Sequence, residues 1–142
     1  MTELTSMTLA EASVALGRKE VSSVDLVRAC LSRVEQVQPR INCFISVEAE
    51  EALKAAEYAD AELARGERRG ALHGIPLAHK DMFYRAGKVS TFGSKIFRNY
   101  TPDFTSTIMA RLTEARAIYL GSLNMAEFAA GPVGQNDHFG QI

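Results

Sequence analysis

The sequence predicts an α/β fold, a mixed sheet flanked by helices, and two observations carry that expectation. Short runs of β-branched and aromatic residues alternate with longer stretches whose apolar residues recur at three- and four-residue steps, as in partly parallel sheets. The composition is that of an ordinary globular chain: 142 residues, 46% hydrophobic and 23% charged. That length is about one domain on the usual size prior.

Charge and targeting signals narrow the function classes. Sixteen Lys and Arg stand against 17 Asp and Glu, a net charge of -1, and no polybasic block marks nucleic acid or an anionic membrane as a partner. Residues 1–14 carry Glu3 and Glu11 and lack a basic region before an apolar core, so they do not read as a signal peptide. No stretch approaches the roughly 18 uncharged apolar residues of a membrane span. A cytoplasmic protein is expected, with Cys30 and Cys43 as buried reduced thiols instead of a disulfide scaffold.

Thr8 and Glu11 form a T-x-x-E capping box ahead of Leu9, Ala12 and Leu16, predicting a helix over 8–17 that Gly17 ends. Ser22 and Asp25 repeat the device, and Val27, Cys30, Leu31, Val34 and Val37 carry a second helix that Pro39 stops. Cys43 to Val47 is too short for a helix and rich in strand formers, so it reads as a buried strand. Ala49 to Arg65 places Leu53, Ala56, Ala59 and Leu63 on one helical face, with Glu50 four residues before Lys54 and Gly66 as the stop. From Leu72 an apolar run ends abruptly at His79-Lys80-Asp81, with Pro76 suited to a strand start or edge. Gly87 to Gly93 reads as a turn and short strand, and Ser94 to Tyr100 as a short helical piece. Phe104 to Ala115 reads as an amphipathic helix through Ile108, Met109 and Leu112, and Ala117 to Leu120 as the strand after it. Gly131 to Ile142 is loop-like, as though the chain stopped in mid-fold.

Few residues present themselves for chemistry. Lys80 closes an apolar strand, where desolvation would favour the neutral amine and make it a general base. The competing reading is a solvated charge paired with Asp81. His73, His79 and His138 form no spaced ligand pair, so no metal is expected. Gly131, Gly134 and Gly140 match neither phosphate-binding fingerprint. No serine sits in G-x-S-x-G or S-x-x-K, and Ser90-Thr91 and Ser94-Lys95 read as strand and cap chemistry.

Taken together, Leu72-His-Gly-Ile-Pro-Leu-Ala-His-Lys-Asp81, Thr91-Phe-Gly-Ser-Lys95, Arg111-Leu112 with Ala117-Ile-Tyr-Leu-Gly121, Asn124-Met-Ala-Glu-Phe128, and Gly140 resemble the amidase signature family in order and spacing. The resemblance covers nearly the whole chain. It implies the N-terminal part of a large mixed sheet wrapped by helices, and a triad of one lysine and two serines, the middle serine following a cis peptide. In that family the lysine draws a proton through the bridging serine from the nucleophilic serine. Position by position this carries over to Lys80 alone, because the glycine- and serine-rich stretch that holds both serines and the oxyanion hole begins after the segment matching Asn136 to Gly140.

The resemblance therefore implies residues 1–142 as one N-terminal segment of an amidase that hydrolyses a carboxylic amide to acid and ammonia through an acyl-serine intermediate. The chain alone is expected to be inactive. The family's acyl-pocket positions match Ala129 and Gly131 as substrate-binding residues. A small-molecule amide is the implied partner, with no cofactor, metal, nucleic acid or membrane, and self-association is expected through the edge of an incomplete sheet. Two positions depart from the family: Arg116 replaces its usual glycine and Ser122 its usual lysine. Glu127 to His138 is more similar to stand-alone amidases than to the A subunit of tRNA-dependent amidotransferases, which is kept as the alternative within the family. The alternative outside it is a non-catalytic short partner or scaffold.

Overall fold

The computed structural model describes residues 3–142. Helices α1 (Leu9–Gly17), α2 (Ser23–Ile41), α3 (Ala49–Ala64) and α4 (Thr107–Glu114) alternate with strands β1 (Phe44–Val47), β2 (Pro76–Lys80) and β3 (Ile118–Leu123), with short 3-10 turns at Leu4–Ser6, Lys95–Phe97 and Glu127–Ala129. The three strands lie in the order β1-β3-β2. β1 runs antiparallel to β3, pairing Phe44 with Leu123 and Val47 with Gly121. β2 and β3 run parallel: Ile118 N donates to Ile75 O and Asp81 N to Leu123 O, so both chains rise together. The sheet is thus mixed, and the predicted α/β class holds.

Both capping boxes form. Glu11 N donates to Thr8 Oγ1 at 3.2 Å while Thr8 N donates to the Glu11 carboxylate at 2.7 Å, satisfying donors that a helix start otherwise leaves unpaired. Ser22 and Asp25 exchange the same two bonds. Gly66, at φ +81, closes α3 in the left-handed conformation that glycine adopts without a Cβ penalty.

Several expected boundaries are corrected. Pro39 lies inside α2, which runs on to Ile41; Asn42 N still reaches Gln38 O at 2.8 Å, and the carbonyl deprived of its donor belongs to exposed Glu35. α1 ends at Gly17 as expected, but the left-handed residue is not Gly17. Lys19 takes that conformation at φ 59, and Gly17 instead leaves room for the Arg68 guanidinium, which donates to Ser13 O at 2.7 Å. Pro76 opens β2, as its suitability for a strand start predicts, but the strand expected within Gly87 to Gly93 is absent, replaced by turns. Helix α4 starts at Thr107, later than Phe104, and buries Met109 while Ile108 stays exposed. β3 continues past Leu120 through Gly121 and Ser122. β1 buries only Phe44, so it is not the fully buried strand expected. Cys30 and Cys43 are free, as expected, but half-buried.

The described residues divide into two compact units. The first comprises residues up to Gln36, Glu48–Leu77 and Leu112–Leu120. Its core packs Ala12, Leu16, Leu26 and Ile75 against Met7, Val21, Leu63 and Leu77. On α3 the buried stripe is Ala52, Ala56, Ala59 and, unexpectedly, Glu62, with Leu53 and Leu63 only half-buried. Glu62 is held by cations: Arg116 Nε at 2.9 Å and Arg69 Nη2 at 3.2 Å. Arg116 sits left-handed at φ 63, and its guanidinium also lies 5.1 Å from the Tyr58 ring centroid. Those contacts offset the strain of a large residue in that backbone conformation.

The second unit comprises Val37–Val47, Ala78–Arg111 and Gly121–Ile142. Edge-to-face rings hold it, with Tyr84 against Phe92, Tyr100 and Phe104 at centroid separations of 5.5, 5.7 and 5.1 Å. The loop-like C-terminal segment is fastened as well: Asn42 Nδ2 donates to Phe139 O at 2.8 Å, and Asn124 Nδ2 to Gly140 O at 3.1 Å.

Candidate active site

The site is built within the second unit, at the end of β2. Strand alternation turns Lys80 outward and the next residue inward. Lys80 is exposed, and its carbonyl accepts from Met82 N at 2.7 Å and Phe83 N at 3.1 Å, which turns the chain sharply after the strand. Asp81 is buried and does not pair with Lys80. Its carboxylate accepts from Thr91 N at 2.9 Å and from the Thr91 hydroxyl, while its backbone oxygen accepts from Ser90 Oγ at 3.1 Å and Phe92 N at 3.1 Å. Thr91 Oγ1 in turn accepts from Gly93 N at 3.1 Å. Ser90 and Thr91, expected to be strand residues, thus form a buried polar brace under the strand end that bears Lys80. Lys80 is exposed as a residue, whereas the sequence predicts partial desolvation at the strand end.

Ala129 and Gly131 lie on the loop after Asn124. Phe128 and Ala129 are both left-handed, at φ 53 and 56, an uncommon conformation for two successive residues with side chains. Gly131 lines an open depression of about 360 Å³ together with Ala126, Glu127, Val133 and Asn136. No described hydrogen bond links Lys80 to Ala129 or Gly131.

Sequence reasoning passed over the residues that fasten this loop. Asn136 is buried and uses all four bonding positions of its amide: Nδ2 donates to Gly93 O and Met125 O, each at 2.7 Å, and Oδ1 accepts from His138 N at 2.7 Å and Phe139 N at 2.9 Å. Glu127 Oε1 accepts from Ser94 Oγ at 2.6 Å and meets His138 Nε2 at 3.0 Å. The Ser94 hydroxyl and the charge of His138 outweigh partial burial and hold the Glu127 carboxyl below the usual glutamate range. The available signal was Asn136-x-His138, which fits a side-chain-capped turn, though its distant partners at Gly93 and Met125 are invisible to local pattern.

His73 is buried in the first unit, where Arg69 N donates to its Nδ1 at 3.0 Å; that places the proton on Nε2, 3.4 Å from Glu62 Oε2. Among the described residues no group of His, Cys, Asp and Glu is arranged to hold a metal ion, and no helix is long and apolar enough to cross a membrane.

A fold of helices on a mixed sheet is what the sequence resemblance implies. The family model described as Amidase matches residues 25–142, and the chain belongs to that family. Among curated relatives, the A subunit of the glutamyl-tRNA(Gln) amidotransferase of Geobacter metallireducens is 46% identical over 97% of this chain, and its counterpart in Pseudomonas entomophila 44% identical over 96%. The chain spans 28% of the length of each. Among solved structures, the native peptide amidase of Stenotrophomonas maltophilia superposes with a TM-score of 0.86 at 30% identity, over 96% of this chain and 29% of that one. A fatty acid amide hydrolase gives a TM-score of 0.91 over 99% of this chain and 26% of that one, but at 22% identity it shows the fold alone.

Proposed function

We propose that this chain is the lysine-bearing N-terminal segment of an amidase that hydrolyses a carboxylic amide to acid and ammonia, with Lys80 as the base and Ala129 and Gly131 at the acyl pocket. The carrying observation is the placement of Lys80. It is presented outward from a strand end that buried Asp81 and Thr91 lock in place, on a segment that the amidase model spans. A neutral amine there would take the proton of a serine hydroxyl as that hydroxyl attacks the amide carbon; the acyl-serine then forms, ammonia leaves with a proton, and water releases the acid. The resemblance puts both serines beyond the segment matching Asn136 to Gly140, so residues 1–142 purified alone are expected not to turn over an amide. Incubating the purified chain with simple aliphatic and aromatic amides tests this. No ammonia release is expected, and turnover that vanished in Lys80→Ala would overturn it.

A second reading has its own support. The 46% and 44% identities are to proteins named for glutamyl-tRNA(Gln) amidotransferase, not to stand-alone amidases. A chimera carrying this chain in place of the matching segment of the Geobacter metallireducens protein, combined with that enzyme's other subunits, separates the two. Amidation of glutamyl-tRNA(Gln) favours the amidotransferase reading, and ammonia release from simple amides without it favours the stand-alone one.

A further inference from the structure

Within the second unit, the loop that carries Ala129 and Gly131 holds an unfavourable shape. Phe128 and Ala129 lie at φ 53 and 56, and neither is glycine. Such strain persists only where surrounding contacts over-determine it. Three sets of contacts are present. Phe128 N donates to Phe92 O at 2.8 Å and Ala130 N to Glu127 O at 3.0 Å, closing the turn. Asn136 ties the far side of the loop to Gly93 and Met125. Between them, Glu127 Oε1 takes the hydroxyl of Ser94, which is fully buried, and the Nε2 edge of His138. Ser94 Oγ is itself oriented by Ile96 N at 3.2 Å.

We infer that Glu127 is the positioning residue of the loop bearing the acyl-pocket positions: by joining Ser94 on one side to His138 on the other, it holds Phe128 and Ala129 in their left-handed turn and so sets where Ala129 and Gly131 stand. A carboxylate suits this task because one oxygen accepts from both partners, and a charged acceptor strengthens each bond. The cations near it are His138 and Lys95. The significance for substrate rests on the amidase reading above; the clamp itself does not.

Amide hydrogen exchange and heteronuclear NMR on the full 142-residue chain test it without any turnover. In Glu127→Ala the Phe128 and Ala130 amides should exchange about tenfold faster or more, while Ile118 and Ala59 keep parental rates. Glu127→Gln, which retains an acceptor for Ser94, should recover much of the protection. As the pH is lowered, the Phe128 and Ala129 signals of the parent should show a step below the ordinary glutamate range, and Glu127→Gln should lose it. Parental exchange in Glu127→Ala, acceleration spread evenly over all amides, or the same step persisting in Glu127→Gln would each overturn the proposal. A failed clamp leaves the amidase reading standing, and a failed amidase assay leaves the clamp measured.

Discussion

Asp81 shows how much one buried side chain decides near the site. The residue is 2% exposed and its carboxylate is bonded by the Thr91 amide and hydroxyl, so truncation strands buried donors. Each unsatisfied buried group costs about 1–3 kcal/mol, and Asp81→Ala should therefore lower unfolding stability by about 2–4 kcal/mol. Urea unfolding of the parent and the variant measures it, and a change under about 0.5 kcal/mol would show the brace to be slack. The apolar run ending in Lys80-Asp81 is readable in the sequence, and alternation correctly sets the two on opposite sides. What no local pattern supplies is the brace itself, because Thr91 lies ten residues on and resembles an ordinary strand residue. The same holds at Glu127 and Asn136, whose partners come from the turn at Gly93 and Ser94.

Among the elements, β3 illustrates a conformation only glycine can supply. Gly121 has φ +144 and faces the Ser46 backbone oxygen where β1 crosses, so a Cβ there would collide with main chain. Gly121→Ala should break the β1–β3 pairing and cost more than about 2 kcal/mol, combining backbone strain with the clash. Loss of exchange protection at Val47 and Ser122 would accompany it, whereas an unchanged thermal midpoint would contradict the register. The starts of α1 and α2 are legible because the capping box is a local device, complete within four residues. Helix ends are less so. Pro39 carries a stop signal that its place in an exposed last turn overrides, whereas α1 does end at Gly17, with the left-handed turn falling at Lys19. The strand predicted before Gly93 fails for a related reason: its polar groups bond Asp81 instead of a neighbouring strand.

At the scale of the whole molecule, the pH response follows from the buried cluster in the first unit. Burial holds the His73 imidazole below its ordinary value, with the charge of Glu62 opposing only in part. Burial would raise the Glu62 carboxyl, but the hydrogen bonds and charges of Arg116 and Arg69 outweigh it and hold it low. Both groups bind protons more readily unfolded than folded. Their stabilisation is complete above the unfolded values and is lost as pH falls, beginning below about 6.5 for histidine and continuing through the carboxylate range. The thermal midpoint should therefore decline as pH drops from 7 toward 5, and replacing His73 by Gln should flatten the upper part of that decline. A midpoint constant across the interval would contradict the assigned tautomer and its burial. The fold class and the family are legible at this scale because five separated segments match in order. This buried polar knot is not, since Glu62 falls on an alanine face and takes its partners from turns.

Lys80, if it is the amidase base proposed above, must accept a proton from a serine hydroxyl, and replacing it in an active enzyme tests that role. The chain is joined ahead of the remainder of the Geobacter metallireducens protein, of which it spans 28%, and ammonia release from a simple amide is followed for the parent chimera, Lys80→Ala and Lys80→Arg. A guanidinium cannot give up its proton at a working pH, so both variants should lose activity by about a hundredfold or more while keeping the parental thermal midpoint. Near-parental hydrolysis by Lys80→Arg in an active chimera would contradict the account and return Lys80 to the role of a surface charge.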